Sequence, residues 1–159
     1  MSMRGRPLRP STFSKVMVCV NDIVNKEAIG TLHSMVNPDG IKFTGIIEMC
    51  DEMEKLFNNY NFPQSTSAMR SFRASRSNKR TVVEEEVEYV RIENLDTQGA
   101  KATFIIHVQF RQNASWQGTI QWVDGKKTQR FRSTLEMIKL ISDALPEEEE
   151  DMLSWDDVE

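Results

Sequence analysis

The sequence contains no run approaching the roughly 20 consecutive apolar residues that a membrane-spanning helix needs. Its first ten residues, MSMRGRPLRP, lack the apolar centre of a secretory signal, so the expected location is the cytoplasm and no membrane partner is expected. Cysteine is scarce: Cys19 and Cys50 stand 31 positions apart inside apolar segments, which fits neither a disulfide framework nor a CxxC redox or metal motif. His33 and His107 are the only histidines, and the four residues follow one another at intervals of 14, 17 and 57. No zinc-binding spacing is met, and no metal or other cofactor is expected.

Catalytic motifs are missing too. The chain has no GxSxG elbow and no GxGxxG fingerprint. The segment from Gly118 to Thr128 places six residues between its glycines, where a phosphate-binding loop needs four, and it reads as a hairpin turn at Asp124-Gly125. Glu48 and Glu136 are candidate paired carboxylates for acid and base work, but each also fits a helix N-terminus, where negative charge is favoured. Asn113-Ala114-Ser115 matches a glycosylation sequon that has no meaning in the cytoplasm. These absences point away from an enzyme.

What is present is 159 residues, 39% hydrophobic and 28% charged, enough for one soluble domain or two small half-domains. The net charge of −4 is unevenly spread. Arg4, Arg6 and Arg9 make a basic arm of residues 1–14, and Arg70, Arg73, Arg76, Lys79 and Arg80 make a basic linker of residues 64–81. Residues 147–159 hold eight acids and no base. Charge runs of one sign with little apolar content bury too little surface to offset the entropy of ordering, so arm, linker and tail are expected to be disordered.

Between these runs the sequence repeats. Lys15 to Phe57 lies on Thr103 to Leu145 at a constant offset of 88, matching Val20 with Val108, Asn25 with Asn113, Gly30 with Gly118, Thr31 with Thr119, Phe43 with Phe131, Glu48 with Glu136 and Met49 with Met137. The patterns agree as well. Val16, Val18 and Val20 alternate where Phe104, Ile106 and Val108 do, the period-two signature of a half-buried strand. Ala28, Gly30 and Leu32 fall on Trp116, Gly118 and Ile120 in a second strand. Helical stripes follow: Phe43, Ile47, Cys50, Met53 or Leu56, and Phe57 in one copy, and Phe131, Leu135, Ile138, Ile141 and Leu145 in the other. Thr44 and Arg132 or Ser133 mark the helix starts; Asn58-Asn59 with Pro63, and Pro146, mark the ends.

The expected fold is therefore α+β, with two related β-hairpin-plus-helix units, residues 15–63 and 82–146, forming an antiparallel sheet with helices on one face. Val83, Val87 and Tyr89 add a strand before the second unit, with a helix through Val83, Val87 and Val90 as the other reading. One hairpin with one helix is too small to be stable alone, so the units share a core within a chain or across a homodimer.

Four regions are candidates for binding. Arg4-Gly5-Arg6-Pro7 resembles the core of an AT-hook, whose arginines enter the minor groove of AT-rich DNA. Arg70, Arg73, Arg76, Lys79 and Arg80 around Phe72 have the spacing to follow a phosphate backbone. Met152, Leu153 and Trp155 interrupt the acidic tail and suit docking onto a basic, grooved protein partner or onto the chain's own linker. Trp116 and Trp122 form a protein interface if they are exposed; in the core, their indole N–H groups need acceptors.

The segments Ala114 to Trp122 and Phe131 to Met137, with Glu52-Met53-Glu54 and Asn61 to Ser65, resemble small uncharacterised proteins of gut Clostridia and their relatives. That resemblance implies that both halves belong to one gene product and carries no activity with it. The expected function is non-catalytic protein binding or regulation. The alternatives are nucleic-acid binding through the arm and linker, or an acidic nucleic-acid mimic that inhibits a nuclease.

Overall fold

Alternating apolar residues build the strands, and 3.6-periodic ones build the helices, in the computed structural model, which describes residues 14–65, 72, 92 and 95–146. The elements run β1 (Lys15–Val24), β2 (Glu27–Ser34), β3 (Ile41–Thr44), α1 (Ile46–Tyr60), β4 (Ala102–Phe110), β5 (Gln117–Trp122), β6 (Lys127–Phe131) and α2 (Thr134–Ala144). The chain is an α+β protein. Its strands form one antiparallel sheet in the order β3-β2-β1-β4-β5-β6. β1 and β4 pair at its centre, so the two halves meet inside a single chain.

Two of these strands depart from the expected hairpin-plus-helix plan. β3 and β6 precede the helices, and they hold Phe43 and Phe131, which the periodicity had assigned to the helical stripes. The expected strand around Val83 to Tyr89 lies outside the described residues.

Backbone devices recur at the interval of 88. Asn25-Lys26 turns β1 into β2 with φ of 52° and 63°, and Asn113-Ala114 adopts 55° and 56° between β4 and β5. Two successive left-handed residues make the turn whose twist matches flanking strands, and Asn tolerates that conformation best after Gly. The β1–β2 register slips between Val20 and Asp22, and the β4–β5 register slips between Val108 and Phe110. Gly30 and Gly118 stand opposite these bulges, where a Cβ would strike the carbonyls of Cys19 and His107.

The even-numbered face of β1 and β4 carries the main core. Val16, Val18, Val20, Phe104, Ile106 and Val108 share one cluster with Phe43 and Phe131, with Met49, Met53 and Phe57 of α1, and with Met137 and Ile141 of α2. The helix stripes are thus phased differently from the expectation. α1 starts at Ile46 and α2 at Thr134, which leaves Ile47 80% and Leu135 61% exposed. Ser133 caps α2, its Oγ accepting the Glu136 N–H at 3.1 Å. Gly45, at φ 90°, starts α1 without a side-chain cap, so Thr44 ends a strand and caps nothing. On the odd-numbered face, Met17 and Cys19 pack with Met35, Ile92, Leu95 and Ile105.

Candidate functional site

Cross-strand register assembles a pocket beneath α2. Phe104 of β4 pairs with Trp122 of β5, Trp122 pairs with Lys127 of β6, and Ile120 pairs with Gln129. Side chains of paired residues project to the same side of a sheet, so these five converge. Leu140, Asp143 and Ala144 from the last turns of α2 complete the lining of a cavity of about 210 Å³. Its walls are mostly apolar, and Lys127 and Asp143 bring opposite charges to it.

At the position 88 earlier, Leu56 of α1 packs against the core where the second half has Ala144. The charges invert between the two positions as well, with Asp39 and Lys55 standing where Lys127 and Asp143 do.

The turn after β5 fixes the Trp122 wall. Asp124 Oδ2 accepts the Thr103 N–H at 2.7 Å, and the Val123 N–H donates to the Thr103 carbonyl at 2.9 Å. A Cβ at Gly125 would strike the Trp122 ring, so the turn lies directly against the indole. The Trp122 Nε1 donor is buried and has no acceptor. A buried polar group left unmatched costs about 1–3 kcal/mol, and among the described residues this indole N–H is the one such side-chain group.

A second hollow, of about 330 Å³, lies between Asn61–Gln64 and Gln109–Gln112. Arg111 closes its floor. Only 3% exposed, Arg111 donates to Asn58 Oδ1 at 2.8 Å and to the carbonyls of Pro63 at 2.5 Å and Phe57 at 3.5 Å, and Glu54 stands 3.7 Å away. Its guanidinium also lies 5.7 Å from the centre of the Phe57 ring. A cation that satisfies the last carbonyls of α1 is favoured by the helix dipole and ties the second half to the first. Sequence reasoning missed Arg111, because a single Arg after a strand carries no periodic signal.

The tryptophans divide. Trp116 is 5% exposed, and its ring meets Phe57 edge-on with centroids 5.4 Å apart, so it is a core residue with no open face for a partner. Trp122 is half-buried in the pocket wall. Met152, Leu153 and Trp155 lie outside the described residues, as do Arg4, Arg6, Arg70, Arg73, Arg76, Lys79 and Arg80. Phe72, set among those arginines in the sequence, is fully exposed.

The groups considered for chemistry are dispersed or engaged. His33 is buried, with Nδ1 donating to the Pro38 carbonyl at 2.9 Å and Nε2 at 2.9 Å from the Thr31 hydroxyl. His107 sits between Lys15 and Thr119 in the sheet. Glu136 is held by Arg132 at 3.0 Å, which keeps its carboxyl below the usual range, and it also accepts the Arg132 backbone N–H. Burial, then Asp51 and Glu54, push the Cys50 thiol up to about 11, and burial raises Cys19. Among the described residues no three His, Cys, Asp or Glu side chains gather where a metal could sit, and no helix is long and apolar enough to cross a membrane.

Compared with known proteins, the chain matches no family model, no curated protein and no solved structure. The functional reading therefore rests on the geometry of this molecule.

Proposed function

We propose that the chain is a non-catalytic binding protein whose working position is the pocket beneath α2, which receives an apolar side chain of a protein partner. In this reading a three-strand-and-helix unit was duplicated in tandem and fused through β1 and β4, with both helices on one sheet face. One copy then kept its helix-to-sheet contact filled, while the other opened. Support comes from the recurrence of turn, bulge and glycine at an interval of 88. The carrying observation is Ala144 in place of Leu, beside an apolar cavity with a half-buried Trp. Such a pocket, bordered by a few polar groups, is the usual form of a recognition site. Because the halves pair within the chain, stability of the core no longer requires a homodimer.

Peptide display tests the proposal. Random peptides selected on the full chain are expected to share one large apolar residue and to be lost on Ala144→Leu, which fills the cavity. Equal enrichment on both proteins would refute it. The nucleic-acid alternative predicts salt-sensitive binding of duplex DNA or single-stranded RNA that fails when Arg70, Arg73 and Arg76 are replaced. Fluorescence anisotropy at low and physiological salt separates the two.

A further inference from the structure

We infer that the pocket beneath α2 is also the docking site of the chain's own C-terminal segment Met152-Leu153-Ser154-Trp155, which competes there with the partner. The inference rests on the binding role proposed above and adds its regulation.

Position comes first. Leu140, Asp143 and Ala144 line the pocket in the last turns of α2, and the chain leaves that helix through Leu145, at φ −72° and ψ 140°, into Pro146. Residues 147–159 follow. Met152 is eight residues beyond Ala144, a span of up to about 26 Å when extended, which is ample for a return to a cavity beside the helix end.

Chemistry comes second. Apart from Val158, the segment holds the only apolar side chains of residues 147–159, and the facing walls are Phe104, Ile120, Leu140 and Ala144. Five acids precede the segment and three follow it. On the receiving side Lys127 borders the cavity, with Asp143 the one acid in its lining, and Lys126 precedes Lys127 in the β5–β6 turn. The Trp122 wall also has a reason to rearrange, because its buried indole N–H lacks an acceptor and the tail brings carbonyls and carboxylates.

The test labels the full chain with 5-fluorotryptophan, whose three 19F signals are assigned with Trp→Phe variants. A docked Trp155 gives a signal displaced from that of the synthetic peptide 147–159 and shielded from a soluble gadolinium chelate. Ala144→Leu returns it to the free position. Lys127→Glu, an exposed change that leaves the core intact, moves it the same way. A Trp155 signal identical to the free peptide, or unmoved by both variants, overturns the inference. A displaced signal that fades on dilution places a second copy's tail in the pocket and overturns docking within the chain.

Displayed peptides separate this inference from the binding role. Peptides that bind Trp155→Ala at least tenfold more tightly than the unaltered chain support competition. Equal binding to both leaves the binding role standing and removes the tail. A docked tail on a protein that selects no peptide even as Trp155→Ala removes the binding role instead.

Discussion

Met17 and Ile105 face each other across the central strand pair, and they stand 88 residues apart. The central pairing of the sheet thus falls on the same interval of 88 at which the sequence patterns of the two halves agree. The outer registers obey the same interval, with Val18 on Leu32 and Ile106 on Ile120, and Gly30 on Phe43 and Gly118 on Phe131.

The turns give a first prediction. Ala114 holds φ 56°, a conformation that costs an L-residue with a Cβ roughly 1–2 kcal/mol and costs Gly little. Ala114→Gly is expected to stabilise the protein by about 0.5–1 kcal/mol, after the extra chain entropy of Gly is subtracted. Urea denaturation measures it, and a loss of stability would contradict the account of the turn.

Arg111 gives the second. Removing it leaves the Phe57 and Pro63 carbonyls and the Asn58 amide without their donor in a buried place. Arg111→Ala is expected to cost about 3–5 kcal/mol, because breaking a buried charged network leaves unmatched partners. Arg111→Lys, which cannot reach several acceptors in one plane, should recover only part of that. Thermal and urea unfolding of the three proteins decide the order.

Trp122 gives the third. Trp122→Phe removes the unmatched N–H while keeping most of the apolar ring, so stability is expected to stay level or rise by up to about 1–2 kcal/mol. Trp122→Ala should instead lose stability, since the ring packs against the core.

The cysteines give a dependence on pH. The folded protein holds Cys50 protonated up to about 11, whereas the unfolded thiol ionises near its ordinary value. Above that ordinary value the unfolded state binds fewer protons than the native one, so stability falls as pH rises toward 11. Cys50→Ala should flatten that decline. Consistent with protonated, buried thiols, an aromatic disulfide reagent at pH 8 should react slowly with the native protein and rapidly in denaturant.

The elements that could be read from sequence are those whose side chains alternate or recur over enough residues. β1 and β4 were legible from three alternating apolar residues each, and the interval of 88 from their agreement. β3 alternates over only four residues, Ile41 and Phe43 against Lys42 and Thr44, too short a run to stand out, and β6 has five residues of which only Phe131 is buried. Missing them shifted Phe43 and Phe131 onto the helices and put Ile47 and Leu135 on the wrong side. The pocket was illegible for another reason. Phe104, Ile120, Trp122 and Leu140 meet only through strand register and helix placement, and a single Ala144 in a helix carries no sign of a cavity beside it.

The most direct test of the binding role maps a selected peptide onto the full chain by amide chemical shifts. The account predicts changes confined to Phe104, Ile120, Lys127, Gln129, Leu140 to Ala144 and the Trp122 indole, abolished by Ala144→Leu. Changes centred on Arg70 to Arg80, or on the Arg111 hollow, with the pocket silent, would contradict it.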